Sequence, residues 1–317
     1  MLHAIFEARP TNQSCRAAPS ARSFKLLEIA GRRPTSRPVE YVFDMTRTLR
    51  ANGLDFHVRD EGARHAVVLL HGFPDTGELW RNQIPALASA GFRVIVPDLR
   101  GRGRSECPPE VESYRLSESV QDVTGIMDAL GVKRAHVVGH DWGAGVAWLL
   151  AALAPDRVDH LVALSVGYPG AAGRPDLEAL QKSWYRLLFL HEGKAETVLQ
   201  QNDWELFRVI FEGAADIDSY IEAMAEPGAL TAGLNWYRAN LPIERIMGMP
   251  RSLPPVAAPA LGVWSTGDHY LTERQMVRSQ DRVTSSWRYE RFDCTHWIPV
   301  DRARELNLLL IDFLPSG

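Results

Sequence analysis

The amino-acid sequence predicts an α/β fold in which a mostly parallel central sheet is flanked by helices and interrupted by a helical insertion. Three observations carry this. From about residue 46, short apolar runs alternate with amphipathic helical patterns. From about 169 to 254 the alternation stops and the pattern is helical throughout. Two further strands and a closing helix then follow. Unbroken apolar strands separated by helices imply a parallel sheet covered on both faces.

The elements follow in order. Val67-Val68-Leu69-Leu70 is a buried-strand run ended by His71-Gly72, and a helical pattern extends from Leu79 to Ala90. Arg93-Val94-Ile95-Val96 is the next strand, closed by Pro97-Asp98. Ser117 is placed to cap a helix running to Leu130, with Gly131 just past its end. His136-Val137-Val138 is a strand, Gly143 to Ala154 a helix, and Leu161 to Leu164 another strand. The insertion carries Trp184, Trp204, Trp236, Tyr185, Tyr220 and Tyr237 among polar residues, and Pro250, Pro254 and Pro255 punctuate its end. Strands resume at Ala260 to Trp264 and near Arg288 to Phe292, before a helix from about Asp301 to Phe313. The expected organisation is a tail (1–38), a core (39–168 and 255–317) and a helical cap (169–254). The cap would lie over the carboxyl ends of the strands, where open α/β sheets bind ligands.

Composition narrows the function classes. The 317 residues are 45% hydrophobic and 23% charged, ordinary for a soluble globular protein. A formal charge of −4 gives no reason to expect nucleic acid, whose partners usually present a basic face. Cys15, Cys107 and Cys294 are widely spaced, which argues against a disulfide framework or a zinc site. No run approaches the ~18 apolar residues of a membrane span. The first 38 residues hold Arg9, Arg16, Arg22, Arg32, Arg33 and Arg37 against only Glu7 and Glu28. That makeup fits a disordered tail, a start codon placed too far upstream, or an organelle transit peptide. The expected location is cytoplasmic, or organellar if the tail is a targeting segment.

The most informative stretch is Gly139-His140-Asp141-Trp142-Gly143. It has the form G-x-nucleophile-x-G at a strand-to-helix turn, with a carboxylate where many hydrolases carry serine. Such an elbow lifts the central side chain into the site and aims the following N–H, that of Trp142, at an oxyanion. The loop His71-Gly72-Phe73-Pro74 is placed to supply a second donor, the N–H of Phe73, and Pro74 is a candidate for a cis bond. Asp268 follows one strand and His296 the next, which gives the chain order nucleophile, acid, histidine expected of α/β-hydrolases. Asp293 is a rival acid and Cys294 a rival nucleophile; His140 reads as a turn or packing residue, and His269 as a rim residue.

From about residue 46 to 315 the sequence resembles the epoxide hydrolases of the α/β-hydrolase superfamily. The elbow, the HGFP loop, the Asp268/His296 pair and the run Asp98-Leu99-Arg100-Gly101-Arg102-Gly103-Arg104-Ser105 carry the likeness. That last run lacks the GK[ST] ending of a phosphate loop. Asn235-Trp236-Tyr237-Arg238 and, more loosely, Trp184-Tyr185-Arg186-Leu187-Leu188-Phe189 resemble the two cap segments that bear epoxide-binding tyrosines in that family. Leu188 and Leu190 depart from it, since an aromatic and a Gln are common there.

The resemblance implies a small-molecule epoxide substrate, with no metal or organic cofactor. Asp141 would be the nucleophile and His296 the base, oriented by Asp268. Tyr185 and Tyr237 would be the acids, and Phe73 and Trp142 the oxyanion donors. His71, Pro74, Trp142 and Trp297 would line the pocket. No metal-ligand cluster is visible along the sequence, and the chain is expected to be a monomer or homodimer. Two alternatives stay open. A haloalkane dehalogenase would share Asp141 and His296, but many carry Asn at the position of Phe73. A ligand-binding protein of the same fold would keep the pocket and lose turnover.

Overall fold

The computed structural model describes residues 46–171, 173–244 and 253–316. The tail expected at 1–38, the first residues of the expected core and the cap residues 245–252 lie outside these.

Eight strands form one sheet: β1 (Thr46–Ala51), β2 (Leu54–Glu61), β3 (Ala66–Leu70), β4 (Arg93–Pro97), β5 (Ala135–His140), β6 (Val158–Leu164), β7 (Ala260–Ser265) and β8 (Trp287–Phe292). Their spatial order is β1-β2-β4-β3-β5-β6-β7-β8. The pairs from β4 through β8 are all parallel, whereas β1–β2 and β2–β4 are antiparallel. The central strands β3, β5 and β7 are buried at every position, while the edge strands β1 and β8 are largely not. This is the burial expected when helices cover both faces of the middle of a sheet.

The opening hairpin is an element that the run of apolar strands does not announce. β2 alternates, with Phe56, Val58 and Asp60 buried and their neighbours less so. The turn is Asn52-Gly53, both with positive φ (43° and 79°), the backbone that Asn-Gly favours in two-residue hairpins. Asp60 is buried yet paired, accepting from Arg93 Nε and Nη2 at 2.8 Å each and from Arg47.

Two helix boundaries differ from expectation for identifiable reasons. In place of one helix from Leu79 to Ala90 there is a 3₁₀ turn, Gly77–Trp80, and then α1 (Gln83–Ser89). Pro85 has no N–H to continue a helix begun earlier, but is tolerated in the first turn of one that starts at Gln83. The next helix, α2 (Leu116–Ala129), already contains Ser117. Its first N–H, on Leu116, is instead capped by Oδ1 of Asn240 at 2.9 Å. α3 (Trp142–Leu153) follows the elbow and is buried almost all round, from Gly143 to Ala152.

Between β6 and β7 the described residues form five helices: α4 (Leu177–Lys182), α5 (Tyr185–Phe189), α6 (Lys194–Ile210), α7 (Ile217–Ala225) and α8 (Ala229–Asn240). α6 is broken at Gln201–Trp204, where the backbone leaves helical geometry. Arg238 on α8 ties this layer together through Glu196 on α6, at 2.9 Å to each carboxylate oxygen, and the Phe189 carbonyl at 3.0 Å. The layer is fastened to the segments that follow β4 and β7 by polar contacts. Asn240 Nδ2 donates to the Tyr114 carbonyl at 2.8 Å, Trp236 Nε1 to that of Arg100 at 3.2 Å, and Lys182 Nζ to those of Asp268 and Leu271 at 2.8 and 3.0 Å. In place of one closing helix from Asp301 there are two, Ile298–Asp301 and Ala303–Phe313. Among the described residues no helix is long and apolar enough to cross a membrane.

Candidate active site

Asp141 stands between β5 and α3 with φ 52° and ψ −120°, a region that non-glycine residues rarely occupy. Two glycines make this possible. A Cβ on Gly143 would lie 2.1 Å from the Leu70 carbonyl oxygen, and one on Gly72 would lie 2.4 Å from both Cβ and Oδ1 of Asp141. The elbow and the loop after β3 therefore approach more closely than any side chain would permit.

That approach brings the Phe73 N–H to Asp141 Oδ1 at 2.9 Å, and the Trp142 N–H also donates to the carboxylate. The other oxygen, Oδ2, faces His296 Nε2 at 3.9 Å. His296 Nδ1 is 2.6 Å from Asp268 Oδ2, and Asp268 Oδ1 accepts from the N–H groups of Tyr270 and Leu271 at 2.8 and 3.0 Å. The structure thus assembles Asp141, His296 and Asp268 in one line from the ends of three strands. Asp293 is exposed and bonded to Thr266, away from His296. Burial pushes the Cys294 thiol up to about 11, so it stays protonated at neutral pH.

The loop carrying Phe73 is clamped from below. The Phe73–Pro74 peptide is cis. Arg102, fully covered, donates through Nε and Nη2 to the Asp75 carbonyl at 3.1 and 3.0 Å, donates to that of Pro74, and lies over the Phe73 ring. Asp98 Oδ1 accepts from the Gly77 N–H at 2.8 Å, and His71 Nε2 accepts from Leu99 N–H at 2.9 Å. The Asp98-to-Ser105 run is thus a scaffold for the Phe73 donor, a role that its residue pattern alone does not disclose. His71 is held at both ring nitrogens by backbone, and burial brings it down to about 4, so it is neutral. With Phe73, Trp142 and Trp236 it lines a small cavity.

Above Asp141, Tyr185 on α5 and Tyr237 on α8 meet edge to face, ring centres 6.2 Å apart. Tyr237 also packs on Trp142 at 5.1 Å and on Phe73 at 5.6 Å. Trp297 lies beside His296 at 5.4 Å and stacks against Tyr220 at 6.4 Å. Two residues join the site that the sequence motifs did not single out. Tyr270, two residues beyond Asp268, is wedged between Tyr185 and His296 with its hydroxyl buried and unpaired. Arg186, next to Tyr185, brings a guanidinium over that ring with its Nε buried and unpaired.

Residues 65–203 match the family described as alpha/beta hydrolase fold. The AB hydrolase superfamily protein YfhM of Bacillus subtilis is 31% identical over 281 residues, covering 84% of this chain and 97% of that protein. Epoxide hydrolase A of Mycobacterium tuberculosis is also 31% identical, over 84% of this chain and 96% of its own. The crystal structure of epoxide hydrolase A from Mycobacterium thermoresistibile superposes with a TM-score of 0.73 at 30% identity, covering 86% of this chain and 98% of that one. The chain belongs to the epoxide hydrolases of the α/β-hydrolase superfamily.

The electrostatics of the hydrolase follow from burial. Burial raises the Asp141 carboxyl above the ordinary range, against the opposing pull of His296, the Phe73 and Trp142 N–H groups and Arg186. For His296, burial favours the neutral ring, but the carboxylates of Asp268 and Asp141 outweigh it and leave the imidazole more basic than usual. Asp268 would also rise on burial, yet His296 and two backbone N–H groups hold it low, so it stays ionised. Burial raises Tyr185 and Tyr237, both further raised by Asp141, so each hydroxyl keeps its proton at neutral pH. Below the site, His140 Nε2 contacts the His296 carbonyl at 3.0 Å. Burial pushes Asp75, which accepts from Tyr220, up to about 6.

Proposed function

We propose that the chain converts epoxides to vicinal diols through a covalent ester on Asp141, with Tyr185 and Tyr237 as proton donors. The observation that carries this reading is the division of labour between the Asp141 oxygens. Oδ1 accepts the Phe73 N–H at 2.9 Å, so it is the oxygen that remains as the ester carbonyl. Oδ2 faces His296 Nε2 at 3.9 Å, and the carboxylate's charge acts on both tyrosines. Attack by Oδ2 on an epoxide carbon opens the ring and leaves an alkoxide, which takes a proton from a phenol. A positioned acid of this kind contributes roughly 10²–10⁴ in rate.

The second step uses the other half of the site. The 3.9 Å from His296 Nε2 to Asp141 Oδ2 is longer than a hydrogen bond. His296, with its Nδ1 committed to Asp268, takes a proton from water that attacks the ester carbonyl. Negative charge then develops on Oδ1, where the Phe73 N–H already donates, with the Trp142 N–H on the same carboxylate. Collapse breaks the Cγ–Oδ2 bond, the leaving diol oxygen takes the proton from His296, and the second water proton returns to the tyrosinate, which restores the carboxylate. Epoxide hydrolysis is also the activity named for the Mycobacterium relatives, which agrees with the overall reaction proposed.

Removing the base spares the first step more than the second. His296→Gln is expected to accumulate protein heavier by one substrate mass, with the adduct on the peptide containing Asp141, and Asp141→Asn is expected to show none. Wild-type enzyme turned over once in ¹⁸O water should carry label in the Asp141 carboxylate. Label in the diol alone would mean that water attacks the epoxide directly, and the nucleophile assignment would fall. Tyr185→Phe and Tyr237→Phe are each expected to slow ring opening, and the double change nearly to abolish it. Full epoxide activity in the double variant would remove the tyrosines from the mechanism and reopen the dehalogenase reading, which halide release from haloalkanes by wild type would favour.

A further inference from the structure

The amino ends of β3, β5 and β6 lie at the opposite end of the strands from Asp141. His136, the second residue of β5, is about 16 Å of extended chain from Asp141. There the three neighbouring strands bring together side chains far apart in sequence. His65 immediately precedes β3, His136 pairs in register with Val67, and Asp159 is the second residue of β6. Their ligand atoms all fall within 4.8 Å of one another. The β5–β6 register is irregular between Ala135 and Val137, at His136 itself. An irregularity of this kind is a common device for re-aiming one side chain.

Hydrogen bonding shows which atoms face inward. His136 is 1% exposed, and its Nε2 is 3.0 Å from the Pro315 carbonyl oxygen. A carbonyl only accepts, so Nε2 carries the proton and Nδ1 presents a lone pair. That Nδ1 is buried and has no hydrogen-bond partner. Asp159 Oδ1 accepts from Arg134 Nε at 2.6 Å, while Oδ2 is turned to His65 Nε2 at 2.9 Å. Neither Oδ2 nor His65 Nε2 completes a hydrogen bond of good geometry. Buried polar atoms without well-formed hydrogen bonds are costly, and here three converge: His136 Nδ1, with no partner, and the His65 Nε2–Asp159 Oδ2 contact.

We infer that His65, His136 and Asp159 form a binding site for a divalent transition-metal ion of the zinc type. The donor set of two imidazoles and one carboxylate oxygen suits such an ion. Both outer partners have the form found behind metal ligands: a carbonyl on the far nitrogen of His136 and a guanidinium on the far oxygen of Asp159. Ligand bonds of ~2.0–2.1 Å place tetrahedral donors about 3.3 Å apart, so the ion needs only a small spreading of the His65–Asp159 contact and a closing of the longer separations. His65 and Asp159 are partly exposed, at 32% and 19% of their side chains, which opens a route for entry and leaves the fourth position to water. His160, next in sequence, packs its ring on His136 at 4.9 Å and walls the other side. The ion would pin three strands and the segment at Pro315 to one another, a role apart from the chemistry at Asp141.

The test uses the full-length chain without a histidine tag. After equilibration with Zn²⁺ and removal of excess, wild type is expected to retain one zinc per chain, and Co²⁺ in its place to give the visible bands of a tetrahedral site. Bound zinc should also raise the melting temperature, by roughly 5 °C when present at a hundred times its dissociation constant. His65→Ala, His136→Ala and Asp159→Asn should each weaken binding by at least ~10–100-fold, the loss seen when even an outer partner is removed. If His136→Ala does not fold, the two partly exposed positions carry the test. His296→Gln should keep its zinc, and Asp159→Asn its epoxide turnover. Wild type that retains no zinc at micromolar free metal, or variants that retain as much as wild type, would overturn the site. So would loss of the ion in His296→Gln, which would move it to the other end of the sheet.

Discussion

At Asp141, burial and local charge pull in opposite directions. Burial favours the neutral acid, whereas attack on carbon needs the anion, so His296, the N–H groups of Phe73 and Trp142, and Arg186 all work against burial. Arg186 is the charged side chain of this set that does not take part in the proposed proton transfers. Its positive charge also acts on Tyr185 and Tyr237, toward the oxygen on which alkoxide charge would form. Arg186→Gln therefore has a directed effect. The Asp141 carboxyl, already raised, rises further, and ring opening is lost as pH falls through that higher value. The acidic limb of the single-turnover opening rate should move to higher pH, with a lower plateau. A limb that stays in place or moves to lower pH would show that the guanidinium does not act on the nucleophile.

At the level of elements, what the sequence discloses follows from which interactions are local. Gly139-His140-Asp141-Trp142-Gly143 could be read because the elbow is a backbone device, and small residues beside it are required by the approach of Gly143 to the Leu70 carbonyl. The same holds for β3, β5 and β7, whose unbroken apolar runs report burial on both faces. The Asn52-Gly53 hairpin was equally local, and its alternating strand was simply outweighed by the longer apolar runs that follow. Other features depend on partners distant in the chain. The start of α2 is set by Asn240, 124 residues away, so a local capping rule moved it to Ser117. Arg102 lies in a recognisable run, but its grip on the Pro74 and Asp75 carbonyls becomes apparent only once the two loops are side by side. His65, His136 and Asp159 have no tell-tale spacing, because strand order rather than sequence proximity makes them neighbours. Tyr270 and Arg186 enter the site through packing on Tyr185 of α5 that no motif encodes.

For the whole molecule, the question is how much chain the sheet and its two ends require. β1 lies at one edge and is mostly exposed, and its register with β2 runs from Thr46 opposite Arg59 to Ala51 opposite Leu54. β2 contributes Phe56 and Val58, both fully buried, and covers the antiparallel edge of β4. Removing residues 1–38 leaves every one of these contacts in place. A chain beginning at Val39 is therefore expected to be soluble, to melt as the full chain does and to keep its epoxide turnover. Removing residues 1–61 deletes the hairpin, strips the partner from β4 and leaves Arg93 without Asp60, which it holds at 2.8 Å. Losing two fully buried apolar side chains alone costs roughly 3–6 kcal/mol, comparable with the stability of an ordinary domain. The longer truncation should accordingly give no folded protein. Thermal melting and turnover of the two truncated chains, measured beside the full chain, test this directly. Insolubility of the chain beginning at Val39 would show that the first 38 residues are part of the fold. Folded, active protein after removal of 1–61 would show that the hairpin is not needed to close the sheet at β4.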